Sequence, residues 1–310
     1  MANLSLKQKF RVLVRAGRPN QWVKNMVIYT ALIFSGELFN PYLFLQNTIG
    51  FLLLCLTSSV CYVLNDIIDY KYDIKHPTKK NRPIAKGDLT IPEATFYVFF
   101  GTVVVILLSL KFDRWFFVTI VAFLAIQIAY SLHFKKRAVM DIFLIATLFV
   151  LRTMAGRFLT GHHVQVWLML TIFFVALFIA SVKRHAEFLK FGEETRMSLG
   201  FYRDRLLTFF VMTFATLSVV SYSLYTFLET PPLTNSPLAK SLSEFLPNFE
   251  GRKWLMITIP IVVYGVARYA QLLYEKDQGE RPEDIIKKDK PMLITLFIWV
   301  SVVITLIYIF

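Results

Sequence analysis

Apolar residues fall along this chain in runs of about 17–25 positions, the length an α-helix needs to cross a hydrocarbon core. The pattern predicts nine membrane-spanning helices, over 23–39, 44–68, 92–110, 114–134, 138–158, 164–183, 205–228, 254–274 and 291–310. Ahead of them, residues 4–18 place Leu6, Phe10 and Leu13 on one helical side and Lys7, Lys9, Arg11 and Arg15 elsewhere, so residues 1–20 read as an amphipathic segment lying in the membrane interface. The polar stretches between spans are charged unevenly. Of the 34 Lys and Arg residues, 26 lie in the N-terminal segment and the alternate loops 69–91, 135–137, 183–205 and 275–290; 6 lie in the remaining loops, and Arg152 and Arg268 fall inside spans. That bias predicts a cytoplasmic N-terminus, an external C-terminus and an extracytoplasmic 229–253 loop carrying Pro231, Pro232, Pro237 and Pro247. The expected fold is one all-α polytopic bundle over residues 1–310, in the inner (cytoplasmic) membrane.

Composition agrees and excludes other classes. Hydrophobic residues make up 56% and charged residues 18%, whereas a soluble domain of ordinary composition carries about a quarter charged residues. The net charge of +13 is accounted for by the loop bias, so no nucleic-acid partner is implied. Cys55 and Cys61 sit in one apolar run, about 9 Å apart along a helix, too far to bridge. The first 25 residues are basic without an apolar core, so no cleavable signal is expected.

The candidate chemistry is concentrated after the second span, in Tyr62-Val-Leu-Asn65-Asp66-Ile-Ile-Asp69-Tyr-Lys-Tyr-Asp73. Asp66, Asp69 and Asp73 stand at i, i+3 and i+7, on one helical face, with Asn65 a turn before Asp69 and Tyr62 a turn before Asp66. Clustered carboxylates at a membrane edge repel one another and call for a cation. All-oxygen donors select a hard one; Mg²⁺ fits best, and Mn²⁺ takes the same ligands. The loop that follows, His76-Pro-Thr-Lys79-Lys80-Asn-Arg82-Pro-Ile-Ala-Lys86-Gly87, is stiff and basic. Cations beside a Mg²⁺ cluster are what a diphosphate needs, with Lys79 and Arg82 the favoured pair.

These motifs resemble the UbiA superfamily of intramembrane prenyltransferases, and within it the branch that transfers phosphoribose to decaprenyl phosphate. The resemblance rests on Asn65-Asp66-x-x-Asp69-x-x-x-Asp73, Arg18-Pro-Asn-Gln21-Trp22-Val-Lys24-Asn25, the His76–Gly87 loop, Tyr130-Ser-Leu-x-x-Lys135, Asp141, Leu151-Arg152-x-x-Ala155-Gly156, Lys183-Arg184-x-x-Glu187 and Arg268-Tyr269. It covers nearly the whole chain. Prenyltransferases of the wider superfamily carry a second acidic pair, DxxxD, after the sixth helix. Here that place reads Lys183-Arg184-His-Ala-Glu187, which would repel a second Mg²⁺ and attract a bare phosphate.

The resemblance implies a glycosyltransferase (pentosyltransferase) that moves phosphoribose from 5-phosphoribosyl 1-diphosphate to a polyprenyl phosphate, with its site facing the cytoplasm. Expected roles follow. Asn65 and Asp69 hold Mg²⁺, with Asp66 and Asp73 as ligands or water-holders; Lys24, Tyr62, Lys79, Arg82, Tyr130 and Lys135 hold the sugar diphosphate; Arg152, Lys183 and Arg184 hold the lipid phosphate, and Glu187 orients Lys183 or Arg184. The alternative is a UbiA-type prenyltransferase acting on an aromatic or lipid acceptor. A secondary transporter fits less well. The carboxylates that fall within spans, Glu37, Asp66, Glu93 and Asp141, all lie near span ends, so none stands at the midplane where it could couple an ion.

Overall fold

A computed structural model describes residues 6–191, 204–229, 251–274 and 289–308. The described residues are helical throughout, without strands. Eight helices are long and apolar enough to cross a membrane, matching eight of the nine expected spans. The amphipathic segment forms α1 (Leu6–Ala16). α2 is Thr30–Phe34 and α3 Pro41–Asp73; the short α4, Pro83–Lys86, precedes α5 (Ile91–Ser109), α6 (Arg114–Leu132), α7 (Met140–Thr160), α8 (Val166–Phe191) and α9 (Asp204–Leu228). The last two spans are α10 (Ile259–Tyr274) and α11 (Lys290–Tyr308). Most of the expected external loop, and parts of the loops at 183–205 and 275–290, lie outside the described residues.

The expected first span, 23–39, is not an α-helix. Pro19–Tyr29 winds as a 3₁₀ helix and only Thr30–Phe34 is α. The sequence explains the tighter winding, because the segment opens on proline and is rich in β-branched, aromatic and amide residues, which are weak α-formers. Three residues per turn also stack Trp22, Asn25 and Ile28 on one face. That face runs antiparallel to α3. Trp22 Nε1 donates to Ser59 (3.1 Å), Asn25 Nδ2 to Cys55 Sγ (3.3 Å), and Tyr29 shares a hydrogen bond with Thr48 (2.9 Å). Eleven residues at ~2.0 Å and five at ~1.5 Å give a contour of about 30 Å, and this segment is not among the eight helices long and apolar enough to cross a membrane.

α7 joins two packed halves. Ile142 and Ala146 belong to a core shared with α8, α9 and α10, while Leu148, Ala155 and Leu159 belong to one shared with α3, α5 and α6. Ile145, Phe149 and Arg152, at i, i+4 and i+7, form a third stripe facing the gap between the halves. α1 is tied over one end of the bundle. Lys9 pairs with Glu93 (2.7 Å) and Arg15 with Asp88 (2.5 Å), while Phe10 stays exposed as an interfacial residue does.

Candidate active site

The gap holds a cavity of ≈ 690 Å³, lined by the 3₁₀ segment, α3, the loop after it, α6, α7 and α8. Its walls include Lys24, Tyr62, Asn65, Asp69, Asp73, Lys79, Arg82, Tyr130, Lys135, Arg152, Lys183 and Arg184. Of the expected site residues only Asp66 is outside this lining. The cavity-facing stripe of α3 is therefore Tyr62, Asn65, Asp69, Tyr72 and Asp73, rotated by one residue from the three-aspartate face expected from spacing alone.

Each carboxylate meets at least one cation, and Arg82 is shared by two of them. Asp69 Oδ1 accepts from Lys135 Nζ, which also reaches Asn65 Oδ1 at 3.4 Å, and Asn65 Nδ2 donates to Asp69 Oδ2 at 3.0 Å. Asp73 Oδ2 accepts from Arg82 Nη1 at 2.6 Å. Asp66 Oδ1 accepts from Arg82 Nη1 at 3.1 Å and from Arg18 Nη2. Three aspartates that repel one another are thus interleaved with three cations from elsewhere in the chain, which is what allows them to share one helix end.

The α8 end differs from the expectation. Arg184 is 1% exposed, and its guanidinium donates to Asp141 Oδ2 (2.7 Å), Glu187 Oε2 (2.6 Å) and Tyr130 Oη (3.3 Å). Two carboxylates neutralise it, so it cross-links α8 to α6 and α7 more than it attracts a phosphate. Glu187 orients Arg184, one of the two partners expected for it. Arg152 is the reverse case. It is 6% exposed, Nε donates to Asn25 Oδ1 (2.8 Å), and the guanidinium lies between Phe123 and Phe149, 4.8 and 5.0 Å from their ring centroids. No carboxylate among the described residues pairs with it. The guanidinium, about 16 Å along α7 from Asp141, is thus held by an amide and two aromatic faces, so its charge is not neutralised by a carboxylate among the described residues. Arg268 is instead occupied by Asp289 (2.7 Å), away from the cavity lining.

A family model for the UbiA prenyltransferase family matches residues 26–285. The chain belongs to that family. UbiA-family relatives named decaprenyl-phosphate phosphoribosyltransferase are 31% identical: over 96% of this chain and 87% of the Corynebacterium glutamicum protein, and over 96% and 92% for the Mycolicibacterium smegmatis one. The fold is also that of a UbiA homolog from Archaeoglobus fulgidus solved with GPP and Mg²⁺ bound, at TM-score 0.68 and 16% identity, covering 96% of this chain and 99% of that one. The protein is a multi-pass membrane transferase.

The cavity also contains residues of this UbiA chain that the sequence reading gave no role: Arg18, Gln21, His76 and Gln127. Arg18 and Gln21 stand in the N-terminal motif. Gln127 was legible as an amide inside an otherwise apolar stretch of α6.

Asn65 Oδ1 and the Asp69 carboxylate are hard oxygens on the cavity wall that already share one cation, the Lys135 ammonium, and Asp73 lies a turn further on. Among the described residues no three acidic, His or Cys side chains converge into a closed metal cage. Mg²⁺ does not need one, since it takes one or two carboxylates and fills its shell with water and substrate phosphate oxygens. The residues fit such an ion, and Asn65 and Asp69 are the oxygen donors that would hold it.

Proposed function

We propose that this protein transfers the 5-phosphoribosyl group of 5-phosphoribosyl 1-diphosphate to a polyprenyl phosphate of the decaprenyl type, at the cytoplasmic face of the inner membrane, with Mg²⁺ or Mn²⁺ as cofactor. One observation carries this reading. One cavity pairs an oxygen-donor stripe, Asn65 and Asp69, with cations at Arg152 and at Lys183, the latter where a second acidic pair would otherwise stand. One wall suits a metal-bound diphosphate and the other a bare phosphate. The names of the relatives support the same acceptor and the same transferred group.

The chemistry asks little of the side chains as acids or bases. A phosphomonoester has its second pKa near ~6, so the lipid phosphate arrives as its own anionic nucleophile. A bond forms between its oxygen and sugar C1 while the bond from C1 to the diphosphate oxygen breaks, and pyrophosphate leaves with its electron pair. Bound Mg²⁺ would supply the Lewis acidity that neutralises this leaving group. Lys24, Lys79, Arg82 and Lys135 hold the diphosphate in place, with Tyr62 and Tyr130 flanking the sugar. Arg152 and Lys183 bring the lipid phosphate to the opposite face, which is rate acceleration by positioning. Arg184, fixed by Asp141 and Glu187, keeps Lys183 and Tyr130 in register.

The test is a transfer assay with purified protein, labelled phosphoribosyl diphosphate and polyprenyl phosphate. Label is expected to move into the organic phase with Mg²⁺ and to stop with EDTA. Consumption of a prenyl diphosphate in the same sample, without phosphoribosyl transfer, would replace this reading by the prenyltransferase one. In the same assay Lys183→Ala is expected to raise the lipid KM roughly tenfold and leave the sugar-diphosphate KM within about twofold. Equal rises in both would refute separate subsites.

A further inference from the structure

We propose that Asp66 is a positioning carboxylate that sets the donor-site guanidiniums, and not a ligand of the metal; this rests on the reading of the cavity as a diphosphate site. Asp66 is buried, as is Asp73, but unlike Asn65, Asp69 and Asp73 on the same helix it does not line the cavity. One helical residue beyond Asn65, it is rotated by about 100° from the oxygen-donor stripe. Its Oδ1 accepts from two guanidiniums, Arg18 Nη2 and Arg82 Nη1, which fills the two lone-pair positions of that oxygen. Its Oδ2 is buried without a hydrogen-bond partner. Neither oxygen is presented to an ion in the cavity.

What Asp66 holds does face the cavity. Arg18 and Arg82 both line it. Arg82 is shared with Asp73, so its fork is fixed by two carboxylates. Arg18 has a left-handed backbone (φ 52°, ψ 65°), which a non-glycine residue adopts at a cost, and its guanidinium lies over the Tyr62 ring at 5.2 Å. Two like charges on one buried oxygen and one disfavoured backbone conformation are mutually dependent. Without the carboxylate, the guanidiniums repel and Arg18 loses the contact that offsets its backbone. A buried pair of this kind is weak evidence of stabilisation in itself, which makes placement of donor groups the better account.

The test uses Asp66→Asn, which keeps the shape and removes the charge, beside Asp69→Asn. Manganese binding to substrate-free purified protein is read by electron paramagnetic resonance, and steady-state kinetics are measured on the same samples. Asp66→Asn is expected to bind Mn²⁺ as wild type does, to leave the Mg²⁺ concentration for half-activity unchanged, and to raise the KM for phosphoribosyl diphosphate roughly tenfold with kcat within about threefold. Asp69→Asn is expected to lose Mn²⁺ binding. Loss of Mn²⁺ binding in Asp66→Asn to the same degree as in Asp69→Asn overturns the proposal. Retained binding in Asp69→Asn instead strikes the metal-site reading, a separate failure. Arg18→Gly provides the second arm, because glycine accepts the left-handed backbone while removing the guanidinium. It is expected to keep the melting temperature and raise the same KM, and the double variant with Asp66→Asn is expected to add less than the product of the two single effects. Multiplying effects, or a KM untouched by Arg18→Gly, count against a shared clamp.

Discussion

Asp69→Ala is expected to reduce phosphoribosyl transfer by on the order of 10³-fold or more while the protein still inserts and purifies as a folded bundle, because a Lewis-acid site contributes several kcal/mol to charge stabilisation in the transition state. Asp69 is where the lining of α3, the amide of Asn65 and the ammonium of Lys135 meet. Among the described residues, no other carboxylate has both a position on the cavity wall and an amide oxygen a turn away to complete a hard-donor pair. Folding is not expected to suffer equally. The residue sits at the end of α3, beyond the apolar part of the helix, and Lys135 opens onto the cavity, where water can take over from the lost carboxylate. The measurement is turnover of the purified variant across a Mg²⁺ titration, with a thermal melt in detergent as control. Normal turnover at any Mg²⁺ concentration would remove the metal-site assignment. Loss of folded protein would move Asp69 to a structural role, and Asp69→Asn, which keeps the shape, would then carry the test.

The second large effect concerns stability. Gly156→Ala is expected to lower the melting temperature by several degrees, from a packing cost of about 1–3 kcal/mol. A Cβ at Gly156 would stand 1.9 Å from the Ile28 carbonyl oxygen and 2.9 Å from its carbon, so the clash is with backbone and no rotamer change relieves it. α7 and the 3₁₀ segment are pressed together here because that contact brings Asn25 onto Arg152. Pushing them apart is therefore expected to cost lipid-substrate affinity as well. Gly265→Ala is the control. A Cβ there meets Thr295 Cγ2 at 3.6 Å, an ordinary contact, and within a helix alanine is the better former. Equal melting temperatures for the two variants would show that the close approach is not needed.

The helices most legible in the sequence were those whose apolar run was long and uninterrupted, since burial in lipid demands length more than any one residue. The first span failed as an α-helix for a local reason. Its tight 3₁₀ winding is set by what it packs on, with a three-residue period of contacts to α3 that a hydropathy average does not register. The residues expected to act together were picked out by type, and every one except Asp66 lines one cavity. Roles were less legible. Lys183 and Arg184 look alike in sequence, yet Arg184 is neutralised by Asp141, 43 positions away, and by Glu187.

By itself, then, the sequence determined a membrane bundle, its family and the oxygen-and-cation chemistry of its cavity, because length, charge type and helical spacing are properties of one segment at a time. Which aspartate faces the cavity and which is buried against guanidiniums, which arginine is neutralised and which stays receptive, and how Asn25 comes to hold Arg152 across 127 residues were decided only by the tertiary structure. Those outcomes depend on which faces of separate helices meet, and no periodicity within a single helix encodes its neighbour.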